Sequence, residues 1–276
     1  MSLLKSKIHI KNIPIYQGGE SKLDQFTTVT KLSSNENPLG PSPNAIRAYN
    51  DVQSKLHLYP DGSARDLKEA ISHIYQVPQE RIICGAGSGE ILCLACRAYS
   101  GPNDEIIHTQ HAFSMYSIYA KSVGALPIIS QEKNLTADIE SILNCVTQKT
   151  KIVFLANPNN PTGTVLNRND ILYLRESLRE DILLVIDGAY SEYMIEDDHD
   201  GALSLASKFN NVLITRTFSK IYGLASMRVG WGYGPKNIIN ELFKIKPPFN
   251  VNKLAQLYAT ESLKDKKFIT KSIKHN

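Results

Sequence analysis

Residues 157–163 read Asn157-Pro158-Asn159-Asn160-Pro161-Thr162-Gly163, and residues 217–220 read Thr217-Phe218-Ser219-Lys220, with Arg228 eight positions past the lysine. Between them stands Asp187, with Tyr190 three residues on. Each motif closes an apolar run rich in β-branched residues, at 151–156, 182–187 and 212–217. Such runs read as buried strands, and an α/β protein carries its ligand site just past the carboxyl ends of its strands. The three motifs therefore belong to one edge of one sheet.

The rest of the chain fits that reading. Further strands are expected at 81–84, 105–109 and 125–130, with helices between them at 88–99, 114–123, 138–146 and 169–178. Strand and helix in alternation, with the strands continuously apolar, imply a mostly parallel sheet between helices. Upstream, the first forty residues read as irregular. Ser42-Pro43 opens a helix as N-cap and first helical residue, and Ser63 with Asp66 suggests a capping box. Downstream, a helix at 237–246 ends at Pro247-Pro248, and one last helix is expected over 252–274.

Composition narrows the class. A chain of 276 residues with net charge +4 has room for one large core and a smaller lobe. Lys264, Lys266, Lys267, Lys271 and Lys274 crowd the end of the chain, but no aromatics interleave with them as a single-strand binder requires. They read as a solvated helix face, not a nucleic-acid site. No apolar run is long enough for a spanning helix, so no membrane partner is expected. Cys93 and Cys96 have C-x-x-C spacing inside a helix, with no second pair to complete a zinc site. These thiols, with Cys84 and Cys145, read as reduced and the compartment as cytoplasmic; no metal is expected.

The motifs supply particular chemistry. Gly85-Ala86-Gly87-Ser88-Gly89-Glu90 joins a strand to a helix, and the free N–H groups of that helix start suit a phosphate. A dinucleotide fingerprint would need glycine at Glu90, which disfavours a nucleotide-binding oxidoreductase. Arg228, Thr217 and Ser219 add a guanidinium fork and hydroxyls for the same anion. Lys220, if desolvated beside Arg228, becomes partly neutral and able to attack a carbonyl. Asp187 leaves a buried strand as a carboxylate in want of a cationic partner, for which a protonated pyridine nitrogen would serve. Tyr190 and Asn160 suit a phenolic oxygen, and Phe113 a ring face. The set matches what pyridoxal phosphate chemistry requires.

At this point the chain resembles the fold type I pyridoxal phosphate aminotransferases. The shared marks are Asn-Pro-x-Asn-Pro-Thr-Gly, Asp-x-x-Tyr, and Ser-Lys with an arginine eight residues on. Within that family it is most similar to the histidinol-phosphate aminotransferases. Tyr16-Gln17-Gly18-Gly19, Asn35-Glu36-Asn37-Pro38-Leu39-Gly40, Tyr59-Pro60-Asp61-Gly62 and Pro248-Phe249-Asn250-Val251 carry this closer likeness.

The resemblance implies pyridoxal 5′-phosphate as cofactor and amino transfer between histidinol phosphate and 2-oxoglutarate. Lys220, Asp187 and Tyr190 would be the catalytic residues, with Lys220 bonded to the cofactor. The phosphate would lie among Gly87, Ser88, Gly89, Thr217, Ser219 and Arg228, with Phe113 on the ring and Asn160 and Tyr190 at its phenolic oxygen. Tyr16 and Asn37 would border the substrates, an amino donor and a 2-oxo acid. Tyr59 would reach into the active site of the neighbouring subunit, so a homodimer is implied. Residues 1–45 would belong partly to a small α+β domain and 46–246 would form the cofactor-binding domain. Residues 247–276 would begin the rest of the small domain, left incomplete by a chain that stops early. The competing expectations are an aromatic aminotransferase, a phosphothreonine-type decarboxylase, and an inactive remnant of such an enzyme.

Overall fold

A computed structural model describes residues 4–20, 29–48, 55–194 and 200–276. Parts of the segments expected at 1–45 and 46–246, at 1–3, 21–28, 49–54 and 195–199, lie outside the described residues. The described strands are β1 (Ile82–Gly85), β2 (Glu105–Thr109), β3 (Leu126–Ser130), β4 (Glu132–Lys133), β5 (Thr136–Ala137), β6 (Thr150–Ala156), β7 (Leu183–Asp187), β8 (Val212–Thr217) and β9 (Gly230–Tyr233). The helices are α1 (Ile8–Lys11), α2 (Pro43–Arg47), α3 (Arg65–Tyr75), α4 (Ser88–Tyr99), α5 (Met115–Ser122), α6 (Ile139–Asn144), α7 (Arg168–Ser177), α8 (Leu203–Lys208), α9 (Lys236–Ile245), α10 (Lys253–Lys264) and α11 (Lys266–His275).

Seven strands form one sheet in the order β1-β9-β8-β7-β6-β2-β3. The pairs from β8 to β3 are parallel, while β9 runs antiparallel to both its neighbours. β4 and β5 make a separate two-stranded hairpin. Both sheet faces are covered, and the strands show it residue by residue. In β7, Leu184 and Ile186 enter one apolar cluster, and Leu183 and Val185 enter the other. β6 divides in the same way, Val153 and Leu155 against Ile152 and Phe154. Side chains alternate faces along a strand, so a strand buried on both sides must be apolar throughout. Each fully buried Ile, Val or Leu here contributes about 1.5–3 kcal/mol of transfer free energy.

From β2 the chain steps outward to β3, then crosses back past β2 to lay down β6, β7 and β8 in turn. Strand order reverses at that point, and there the strand ends open a crevice for a ligand. Ala156, Asp187 and Thr217 are the last residues of β6, β7 and β8.

Several local expectations need correcting. Ser42 does cap α2, accepting from Asn44 N–H at 3.1 Å, with Pro43 as first helical residue. No Ser63–Asp66 box forms. Ala64 is the cap residue of α3, with φ 49°, and Asp61 takes the free donors instead, accepting from Ser63 and Arg65 backbone N–H at 2.9 and 2.8 Å. The last helix is two helices. Asp265 ends α10 and caps α11 by accepting from Phe268 N–H at 3.1 Å. Among the described residues of the first forty, one short helix forms, α1. Val251, Ala255, Ala259 and Leu263, the last three from α10, enter the same core cluster as Leu67 and Ile71 of α3.

Candidate active site

The groups singled out from sequence meet in a cavity of about 390 Å³ at the ends of β6, β7 and β8. It is lined by Tyr16, Ser88, Gly89, Phe113, Asn160, Asp187, Tyr190, Thr217, Ser219, Lys220 and Arg228. Gly87, the residue before Ser88, is not among the lining residues but packs against Arg228, which is. Two expected residues lie elsewhere. Asn37 borders an adjoining cavity of about 630 Å³, which shares Pro158, Asn160 and Tyr190 with the first. Its amide is engaged, donating to Ile221 O at 2.8 Å and Ser272 Oγ at 3.0 Å. Tyr59 is 82% exposed and stacks on Phe249 with ring centroids 4.6 Å apart, outside the cavity of its own chain.

The anion end is built from glycine and arginine. Gly87 has φ +82°, and a Cβ on it would stand 2.5 Å from Arg228 Nη2. Only glycine satisfies both that backbone and that approach. No side chain caps the first turn of α4, so its N–H groups remain available beside the guanidinium. Arg228 Nη1 is steadied by Ser219 Oγ at 3.2 Å and Ala225 O at 2.9 Å. Glu90 carries the opposite charge but faces away, accepting from Ala86 N–H at 2.7 Å and from the Asn250 side chain.

Asp187 is 5% exposed. Its Oδ2 accepts from Tyr116 at 2.9 Å and its Oδ1 from Thr215 Oγ1 at 3.2 Å. Burial raises its pKa above the ordinary carboxylate range, while these two hydroxyls, the Ala189 N–H and the Lys220 charge oppose the rise. Tyr116 was not legible as a site residue. It lies fully buried, stacked on Phe154 with centroids 4.7 Å apart and edge-on to Phe113 at 5.7 Å.

Lys220 Nζ donates to Ser34 O at 3.1 Å and lies 5.5 Å from the centroid of the Tyr190 ring. Its pKa is lowered from the usual lysine value, first by burial and also by Arg228, against the opposing pull of Glu36 and Asp187. The Tyr190 hydroxyl accepts from Asn35 Nδ2 at 2.9 Å. Asn160 is presented by a loop folded on Asn157, whose side chain bonds both the N–H and the carbonyl of Leu166 at 2.8 and 3.1 Å. Beneath the site, Arg216 and Glu192 form a buried ion pair at 3.3 Å, and Glu192 also accepts from Tyr75 at 3.0 Å. This pair ties the loop of Tyr190 to the strand that leads into Lys220.

The cysteines lie apart from this chemistry. All four are free, and burial raises the Cys84 thiol to about 12. No described helix is long and apolar enough to cross a membrane.

The cavity thus joins a part-buried lysine amine, a buried strand-end carboxylate and a guanidinium beside an uncapped helix start. Comparison with known proteins points the same way. The model of the family "Aminotransferase class I and II" matches residues 27–276. Histidinol-phosphate aminotransferase of Pelagibacter ubique (strain HTCC1062) is 50% identical over 264 residues, covering 96% of this chain and 73% of that protein. The enzyme of the same name from Dinoroseobacter shibae is 48% identical over 259 residues, 94% of this chain and 71% of its own length. Among solved structures, histidinol-phosphate aminotransferase from Sinorhizobium meliloti in complex with pyridoxal-5′-phosphate superposes with TM-score 0.83 at 26% identity. That match covers 87% of this chain and 65% of the other, so the chain spans under two thirds of the length of that structure. Aspartate aminotransferase from Thermus thermophilus, at 21% identity and TM-score 0.76, shares the fold.

Proposed function

The chain belongs to the class I and II aminotransferases, and from that premise we propose that it binds pyridoxal 5′-phosphate over Asp187 and Lys220 and moves an amino group between histidinol phosphate and 2-oxoglutarate. That is a step of histidine biosynthesis, and we assign it to the cytoplasm. The names of relatives 45% to 50% identical support the choice of substrate.

One observation carries the reading. An amine loosened from its proton, a buried strand-end carboxylate and a guanidinium seated on Gly87 all border a single cavity. The residues fit the cofactor. The donor set is cationic and N–H-rich at one end and anionic at the other, and glycine at 87 lets the Arg228 guanidinium close against the helix start. When bound, pyridoxal phosphate would supply an aldehyde carbon for a lysine amine and a protonated ring that draws electrons from the substrate's Cα.

The chain's own residues do the rest. Gly87, Ser88, Gly89, Thr217, Ser219 and Arg228 hold the phosphate with backbone donors, hydroxyls and a fork that suits a dianion. Asp187, fixed by Tyr116 and Thr215, keeps a negative charge where the ring nitrogen carries its proton. Asn160 and Tyr190 hold the phenolic oxygen, with Tyr190 oriented by Asn35, and Phe113 excludes water from the ring face. Lys220 Nζ, its pKa lowered by burial, would hold the cofactor and, once the substrate amine has displaced it, would carry the proton from Cα to the cofactor's C4′ carbon. Tyr16 and Asn37 border the substrate. Tyr59, exposed and braced by Phe249, reaches the phosphate of a second copy in a homodimer. In this reading 46–246 is the cofactor domain, and 1–45 and 247–276 contribute to a small lobe.

The test has two readouts. Borohydride reduction of the cofactor-loaded chain should leave a stable label on Lys220. Amino transfer to 2-oxoglutarate should run faster from histidinol phosphate than from aromatic amino acids. A label on another lysine, or aromatic donors outrunning histidinol phosphate, would overturn the assignment.

A further inference from the structure

Phe113, Tyr116 and Tyr119 recur at every third position through the start of α5 and border the same cavity. The first two have roles above; Tyr119 has none. It separates that cavity from a smaller one of about 240 Å³ on the outer side of α4, where Cys93 and Arg97 stand.

Its hydroxyl occupies a telling place. A Cβ on Gly89 would stand 2.7 Å from Tyr119 Oη, so the hydroxyl sits where a side chain of residue 89 would begin. Two residues earlier, at the N-cap of the same helix, Arg228 Nη2 takes the corresponding place over Gly87. Ser88 lies between them, with Gly230 packed against its backbone N–H from below. The turn is therefore flanked by a guanidinium and a phenol. Among the described residues, no group hydrogen-bonds the Tyr119 hydroxyl. Tyr119 is half-buried on the cavity wall, and its hydroxyl is free to donate to a ligand there.

We propose that Tyr119 is a cofactor-holding residue whose hydroxyl donates to the phosphate from beside Gly89, as Arg228 does from beside Gly87, and that residue 89 lacks a side chain to admit it. The inference rests on pyridoxal phosphate being the ligand, as proposed above. Burial pushes the Tyr119 phenol up from its ordinary value, so it remains a donor throughout the neutral range.

The experiment titrates the apoprotein with pyridoxal 5′-phosphate and with pyridoxal, which has the same ring but no phosphate. Affinity is read from the absorbance of the bound aldehyde. Tyr119→Phe should weaken pyridoxal phosphate by roughly tenfold or more, the loss of one hydrogen bond to a charged group, and leave pyridoxal nearly unchanged. Gly89→Ala, which pushes the hydroxyl aside, should reproduce the phosphate-selective loss. In the double variant the alanine should add little, because the group it displaces is gone. An equal loss for both aldehydes would mark Tyr119 as a wall of the ring pocket, and no loss for either would leave the phosphate held without it. Both outcomes overturn the proposal, as does a Gly89→Ala variant that binds like the parent. If the unaltered chain takes up neither aldehyde and Lys220 stays unlabelled, the aminotransferase reading itself fails, and that result is distinct from the others.

Discussion

Replacing Tyr116 by phenylalanine removes one oxygen atom from behind the reacting groups and should change the pH dependence of catalysis. The hydroxyl donates to Asp187 Oδ2 at 2.9 Å in a fully buried setting. A hydrogen bond to a charged group contributes ~1.5–3 kcal/mol, and in transition-state terms that range is a tenfold to 150-fold factor. Phenylalanine keeps the stack on Phe154, with centroids 4.7 Å apart, so packing is conserved and only the donor is lost. The same bond resists the rise that burial imposes on the Asp187 carboxyl. Without it the carboxyl is protonated at higher pH, and a neutral acid no longer holds the ring nitrogen's proton. The acid limb of kcat/KM should therefore move to higher pH, with a fall of at least about tenfold near neutrality. The assay is a full pH–rate profile of Tyr116→Phe beside the parent chain, with thermal unfolding followed in parallel. A uniform loss at every pH, or an unmoved acid limb in a stably folded variant, would refute the role given to this hydroxyl.

Other outcomes follow from the same geometry. Glu36 is the leading charge that holds the Lys220 pKa up against burial, so Glu36→Gln should lower it further and leave more neutral amine at a given pH. Stopped-flow capture of pyridoxal phosphate should then shift its pH profile to lower pH; a shift to higher pH sinks this account. Gly223 has φ +66°, and a Cβ on it would overlap the Gly40 carbonyl, a backbone atom that cannot swing aside. Gly223→Ala should cost at least ~2 kcal/mol in urea unfolding, more than left-handed alanine strain alone, and a midpoint equal to the parent's would contradict it. Asp187 binds its proton more tightly folded than unfolded, because burial raises its pKa above 3.8. The stability it lends is complete below that unfolded value and is lost as pH rises through the folded one. The melting temperature of the apoprotein relative to Asp187→Asn should thus improve on acidification, and a gap that is flat with pH would exclude a raised value.

What could be read from the chain alone was whatever announces itself in order along it. β7 was legible because burial on both faces forces an unbroken Leu-Leu-Val-Ile run, and Asp187 because a carboxylate at the end of such a run is anomalous. Lys220 and Arg228 were legible because both the amine and its fork lie on the one connection between β8 and β9. β9 was not, and its composition explains why. It reads Gly-Trp-Gly-Tyr, with glycine at 230 because Ser88 leaves no room for a Cβ and at 232 because Ile91 and Ile83 press on that face. A period of two is present, but one of its phases has no side chains, so a search for alternating apolar residues passes over it. The break at Asp265 was hidden in a similar way, since lysines on both sides continue the helical pattern while one aspartate stops α10 and starts α11. Tyr116 and Tyr119 show the deeper limit. Their spacing from Phe113 is plain, yet three aromatics at helical spacing more often fill a core, and one of these does both: Tyr116 packs on Phe154 through its ring and serves Asp187 through its oxygen. Sequence gives the face on which such a residue lies. Whether the far end of the ring meets a methyl group or a carboxylate depends on a strand that arrives 71 positions later, and only the folded sheet brings the two together.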